Sequence, residues 1–166
     1  MTGERAAGLP PRRVVILGRG GAGKSTLARR LGERIGAPVI ELDRHFWSPD
    51  LQPLGRDEWV RVQQELARAP RWVMDGDLGP YDALEPRLAA ADTVVVLDFA
   101  LARCAWRAAR RSRERRDFWI WGALWRRRYR PALLAAARAG AAQVIILRTP
   151  RQVAAWERTT GDDGQH

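Results

Sequence analysis

The stretch Gly18-Arg19-Gly20-Gly21-Ala22-Gly23-Lys24-Ser25 fits the pattern G-x-x-x-x-G-K-[ST]. The pattern carries meaning only between a strand and a helix, and both are predicted here. Arg13 to Leu17 (RVVIL) reads as a short buried strand. Lys24 to Ile35 has helical spacing, with Leu27, Leu31 and Ile35 four apart. Glycines at Gly18, Gly20, Gly21 and Gly23, with Ala22 between them, let the backbone wrap a phosphate with its N–H groups turned inward. The helix starting near Lys24, with Ser25 and Thr26 in its first turn, adds its positive end. Lys24 is then placed to reach the β and γ phosphates of a nucleotide, and the Ser25 hydroxyl to ligate Mg2+. Lys24 is the only lysine; the other 28 basic residues are arginine. A compact ammonium kept at this one position supports a role that a broad guanidinium does not fill.

Beyond Ile35, Gly36 and Pro38 stop the helix. Val39 to Leu42 reads as a second strand and Ser48 to Gly55 as a proline-containing loop. Asp57 to Ala69 reads as a helix with Trp59, Val62 and Leu66 on one face. Trp72 to Met74 is a third strand ending at Asp75-Gly76. Ala83 to Ala91 is expected as a short helix interrupted by Pro86, and Thr93 to Leu97 (TVVVL) as a fourth strand ending at Asp98. Leu101 to Arg116 is expected to be helical, and Phe118 to Ala139 mostly helical with Pro131 near its middle. Gln143 to Leu147 (QVIIL) is a fifth strand, and Pro150 to Arg158 a last helical turn or two. Short apolar strands alternating with helices mean an α/β fold, a parallel sheet covered on both faces. Ligands of such sheets sit at the carboxyl ends of the strands. The residues there are Asp43 and Arg44, Asp75 and Asp77, Asp98, and Arg148.

The 166 residues suffice for one domain and not for two full ones. Residues 12–158 are expected to form it, with a loose leader over 1–11 and a polar tail over 159–166. A content of 46% hydrophobic and 29% charged residues excludes wholesale disorder. One cysteine, Cys104, excludes a disulfide within the chain and points to a reducing compartment. No apolar run approaches the roughly 20 residues of a membrane span, and Met1 to Pro11 lacks the apolar core of a secretion signal. A cytoplasmic protein is expected. Cys104 reads as a small core residue and His45 as a packing or hydrogen-bonding one.

The net charge of +10 is unevenly placed. Residues 101–130 hold 11 arginines against Glu114 and Asp117, a net of +9, while the rest of the chain is 18 basic against 17 acidic. Such an excess is either a solvated face or a surface for phosphates, nucleic acid or an anionic partner. Phe118, Trp121, Trp125 and Tyr129 form an aromatic stripe at i, i+3, i+7 and i+11, interleaved at its end with Arg126, Arg127, Arg128 and Arg130. Helix packing is the usual cause of such a stripe; an oligomer interface, a membrane-surface helix or a base-stacking surface are the others.

The chain resembles the small P-loop kinases of the adenylate kinase-like group, especially the bacterial proteins called topology modulation proteins. The resemblance spans about residues 13 to 155. Beyond the phosphate loop it rests on Glu41-Leu42-Asp43 with Phe46-Trp47, on Trp72-Val73-Met74-Asp75-Gly76, on Asp92-Thr93 through Asp98, and on Leu147-Arg148-Thr149-Pro150-Arg151. It implies a P-loop NTPase fold of three α/β/α layers, like that of nucleoside monophosphate kinases, with a five-stranded parallel sheet of order 2-3-1-4-5. It also implies MgATP binding and phosphoryl transfer to a small acceptor. Asp75 matches the family's Walker B carboxylate, which holds Mg2+ through water. The family's lid arginines, nine and thirteen residues past the strand-four aspartate, fall on Arg107 and Arg111. These would cover the transferring phosphate, and 101–130 becomes a basic, lid-like segment. Adenylate kinases follow the Asp-Gly with Phe-Pro-Arg, whose arginine holds the acceptor phosphate; this chain has Asp77-Leu78-Gly79, which leaves the acceptor open.

The expected function is therefore an ATP-dependent kinase of a small molecule, a nucleotide or another hydroxyl compound. Lys24, Asp43, Arg107 and Arg111 are its catalytic set. Residues 18 and 20–26 with Arg148 bind the nucleotide, Ser25 and Asp75 the metal, and Asp43, Arg44 and Asp77 the acceptor. The alternative is a nucleotide-switched regulatory protein whose Arg/Trp segment docks on nucleic acid. Monomer and homodimer are both open.

Overall fold

A computed structural model describes residues 10–48, 50, 52–79, 82–100, 104 and 125–160. Five strands form one parallel sheet: β1 (Arg13–Gly18), β2 (Val39–Glu41), β3 (Trp72–Asp75), β4 (Thr93–Leu97) and β5 (Gln143–Leu147). Their order is β2-β3-β1-β4-β5, as the resemblance implies. The chain has the fold of the P-loop kinases. Around the sheet lie α1 (Lys24–Ile35), the single turn α2 (Asp43–Phe46), α3 (Arg56–Leu66), α4 (Glu85–Ala90), α5 (Arg130–Ala139) and α6 (Pro150–Thr160). A π-helical turn, Trp125–Tyr129, leads into α5. Among the described residues no helix is long and apolar enough to cross a membrane.

The strands are apolar throughout because both faces are covered. Side chains alternate across the sheet. Val14, Ile16, Val73, Val95 and Leu97 meet Leu27, Ala28, Leu31 and Ile35 of α1 and Val153 of α6. Val15, Leu17, Met74, Val94 and Val96 meet Trp59 of α3, Leu88 of α4, Trp125, and Leu133, Leu134 and Ala137 of α5. Glu157 of α6 takes Arg30 of α1 on both carboxylate oxygens at 2.9 Å, which holds the last helix to the first. Cys104 is buried in the first of these two layers.

Several boundaries differ from expectation. Pro86 lies in the first turn of α4, and Pro131 in the first turn of α5. Pro86 does not interrupt α4, because first-turn N–H groups have no intrahelical partner for proline to remove; Pro131 follows directly on the π-helical turn, so helix lies on both sides of it. The second strand stops at Glu41: Leu42 turns, donating its N–H to the Asp75 carbonyl at 2.9 Å, and opens α2. Helix α6 runs to Thr160, two residues into the expected tail. The expected helix Leu101–Arg116, the segment 118–124, most of the leader and residues 161–166 lie outside the described residues.

A buried ion pair sets the loop between β3 and α4. Arg87 and Asp82 are almost fully buried. Arg87 Nη1 donates to Asp82 Oδ1 at 2.8 Å and to Gln63 Oε1 at 2.7 Å. Asp82 also accepts the Leu78 N–H at 3.1 Å and the Trp59 indole N–H at 3.3 Å. Burial alone would raise the Asp82 carboxyl, but Arg87 and these hydrogen bonds hold it below its ordinary 3.8. Its stabilising contribution is thus whole above pH 3.8 and lost as pH falls through the lower folded value. Arg87→Met is expected to destabilise the fold by about 3–5 kcal/mol, because it leaves a buried carboxylate uncompensated. Urea unfolding at neutral pH checks this, and an unchanged midpoint would refute it. The exposed pair Arg56–Glu85, 3.5 Å apart, is of the kind that contributes at most about 1 kcal/mol.

Candidate active site

The phosphate loop leaves β1 at Gly18, beside the end of β4, and enters α1 at Lys24. Gly23 precedes the helix at φ +93° and supplies no side-chain cap, so the backbone N–H groups of the first turn remain for an anion. Lys24 Nζ lies across the loop, donating to the Gly18 carbonyl at 2.8 Å and to the Arg19 carbonyl at 3.4 Å. Ser25 and Thr26 are exposed on the first turn. At the apex Gly21 has φ +78°, and a Cβ there would stand 2.4 Å from the Cys104 carbonyl oxygen. Gly21→Ala is therefore expected to cost about 1–3 kcal/mol in strain and to weaken ATP binding by displacing the loop. Denaturation and calorimetry on one sample would expose the error if neither quantity moved.

Asp75 ends β3 level with Ile16 of β1 and Glu41 of β2. The residue is 6% exposed, and its Oδ1 has no hydrogen-bond partner among the described residues. A buried carboxylate oxygen without a partner among the described residues, and an exposed serine hydroxyl on the first turn of α1, are donors of the kind that a hard, oxygen-liganded cation takes. The Mg2+ assignment to Ser25 and Asp75 fits these residues.

Asp43 begins α2, one turn past β2. The residue is exposed on its outer side, yet its carboxyl stands among protein atoms. This burial raises it above 3.8, opposed by the Lys24 charge and reinforced by Asp75, Asp82 and Glu41. Asp77 is half-buried two residues past β3. Burial raises its carboxyl too; Lys24 and the hydrogen bonds from Gly79 N–H (3.1 Å) and the Trp125 indole (3.3 Å) lower it, and Asp82 raises it. Asp43 and Asp77 therefore both lie in the field of the phosphate-loop ammonium. Asp43 and Asp77 follow the ends of β2 and β3, and Asp75 ends β3, on the edge of the sheet where the phosphate loop leaves β1.

Other expected site residues sit differently. Arg44 turns back onto Glu41 at 2.7 Å with its side chain largely in solvent. Arg148 is exposed beside β5, its Nε 3.8 Å from Asp98. Asp98 is buried and takes Arg130 at 3.0 Å, joining the ends of β4 and β5 to the start of α5. His45 is exposed on α2. Arg107 and Arg111 lie outside the described residues, as do Phe118 and Trp121 of the aromatic stripe. Trp125, the stripe's next member, is fully buried in the core.

Two groups around the site were not found in the sequence. One is the Asp82–Arg87–Gln63–Trp59 network beneath it. The other is the stack of Arg19 on Trp125, with the guanidinium carbon 5.3 Å from the ring centre. The aromatic periodicity hints that Trp125 packs, but no local spacing identifies its partners, which lie far away in sequence.

The fold recurs in solved kinases. Shikimate kinase from Bacteroides thetaiotaomicron is 18% identical with a TM-score of 0.61, over 89% of this chain and 95% of that one. Gluconokinase from Sinorhizobium meliloti 1021 is 19% identical with a TM-score of 0.56, over 92% and 91%. A sugar kinase from Janibacter sp. HTCC2649 is 20% identical with a TM-score of 0.57, over 95% and 100%. No family model matches the chain, and no curated protein matches it either.

Proposed function

We propose that the protein is an ATP-dependent phosphotransferase that phosphorylates a hydroxyl of a small molecule. The observation that carries this reading is a phosphate loop between β1 and α1 with two carboxylates, Asp43 and Asp77, past the ends of β2 and β3, both within the field of Lys24. An NTP-binding loop alone needs no such partners. A kinase does, because an acceptor hydroxyl must be oriented and relieved of its proton next to the bound phosphates. Solved structures of the same fold titled shikimate kinase, gluconokinase and sugar kinase support a small hydroxyl acceptor. Within the small P-loop kinases the motif residues favour the adenylate kinase-like topology modulation group.

MgATP, when bound, supplies the reactive phosphoryl group and the cation that offsets its charge. The loop amides and Lys24 hold the polyphosphate. Ser25 directly, and Asp75 through water, hold the cation. Asp43 orients the acceptor hydroxyl and takes its proton, with Arg44 and Asp77 as its neighbours on the acceptor side. Arg148 is assigned to the nucleotide, and Arg107 and Arg111 to the lid role that the resemblance implies.

The test is acceptor-dependent ADP release across sugars, polyols, hydroxy acids and nucleotides. One acceptor class is expected to raise ADP release far above the rate with water alone. Equal release with and without every compound would sink the reading. A nucleic-acid surface has support in the exposed Arg127 and Arg128, but burial leaves Trp125 unable to stack on a base. That alternative requires binding that falls steeply with salt.

A further inference from the structure

Trp125 touches both halves of the site through different parts of one ring. Its face carries the guanidinium of Arg19, the second residue of the phosphate loop, at 5.3 Å. Its edge donates Nε1–H to Asp77 Oδ2 at 3.3 Å. The ring is fully buried between sheet and helices, as is Arg19. The other Asp77 oxygen is held by the Gly79 N–H, so Asp77 is fixed from two sides. A flat indole in a close-packed interior cannot tilt toward one partner without moving against the other.

We propose that Trp125 is a positioning residue that couples the conformation of the phosphate loop to the placement of the Asp77 carboxylate. This rests on the reading above for which side is donor and which acceptor. A loop that shifts Arg19 shifts the indole, and the indole carries Asp77 with it. Neither Arg19 nor Asp77 alone would make such a link; it needs a side chain with both a face for a cation and an N–H at its edge. Tryptophan supplies both, from one rigid bicyclic ring. Phenylalanine keeps the face and lacks the donor.

Two measurements test this. MgATP affinity is measured by calorimetry for the wild type, Asp77→Asn, Trp125→Phe and the double variant. Loss of the Asp77 charge acts on the nucleotide directly in both backgrounds, so only coupling through the indole makes the two effects differ. The Asp77→Asn effect is expected to differ between backgrounds by about threefold or more. Effects equal within about 1.5-fold would overturn the proposal. The second measurement needs no nucleotide. In 15N-labelled protein the Trp125 indole N–H resonance is identified by its absence in Trp125→Phe and its displacement in Asp77→Asn. Arg19→Lys keeps the charge but loses the flat stacking group, and it is expected to displace the same resonance while the other seven indoles stay in place. A Trp125 signal that ignores Arg19→Lys overturns the coupling. If Trp125→Phe does not fold, the resonance is identified by its displacement in Asp77→Asn, and this arm decides alone. Wild-type protein that fails to bind MgATP would remove the proposed function, and the indole signal would still decide the coupling.

Discussion

In calorimetry at neutral pH, Lys24→Ala is expected to lower MgATP affinity at least about a hundredfold and to abolish acceptor-dependent ADP release. A unit charge about 4 Å from a phosphate contributes roughly 4 kcal/mol in a half-exposed setting, which amounts to nearly three decades in affinity. Lys24 is half-buried and, among the described residues, bonds to the Gly18 and Arg19 carbonyls of its own loop. The truncated protein should therefore fold, and circular dichroism distinguishes lost binding from lost structure. Lys24→Arg separates charge from shape. The broad, planar guanidinium does not fit the narrow space over the Gly18 carbonyl, so it is expected to restore little activity. Full binding by Lys24→Ala would remove the polyphosphate from this loop and the proposed chemistry with it.

Asp43→Asn is expected to lower turnover by about 10²–10⁴, the usual yield of a positioned base, while MgATP affinity stays within a few-fold. The amide keeps the size and one hydrogen-bonding oxygen, so a change in turnover alone isolates the proton-accepting role. The pH profile supplies the sign. Burial raises the Asp43 carboxyl above 3.8, against the pull of Lys24 and with the push of Asp75, Asp82 and Glu41. A base must be ionised, so activity should fall as the solution is acidified, with a midpoint above 3.8. That limb should vanish from the residual activity of Asp43→Asn. An equally active variant with an unchanged acid limb would move the base elsewhere. Asp82 titrates in the opposite sense, below 3.8. Loss of activity on acidification should therefore precede the loss of Asp82's contribution to stability.

Much of the layout was legible in the chain. The phosphate loop reads from local sequence because its chemistry is local: glycines for the turn, a lysine at the helix start, a hydroxyl beside it. The strands read because a sheet covered on both faces needs uninterrupted apolar runs. The aspartates at strand ends read because a parallel sheet delivers all its carboxyl ends to one edge. One proline misled. Pro86 looked like an interruption, yet it lies in the first turn of its helix, since the same missing N–H is disruptive in mid-helix and costless in the first turn.

What the sequence by itself determined is the local part: a glycine-rich loop with its lysine between a strand and a helix, and the edge of the parallel sheet on which it lies. Only the tertiary structure shows which aspartates lie in the field of Lys24 and which are taken by arginines. Asp43 and Asp77 lie in the field of Lys24, whereas Asp98 is bound by Arg130 and Asp82 by Arg87. It alone also revealed Trp125 between Arg19 and Asp77. The reason is one of range. Turn geometry and helix starts are fixed by neighbours a few residues away, while the charge and burial around a carboxylate depend on side chains brought from far along the chain by folding.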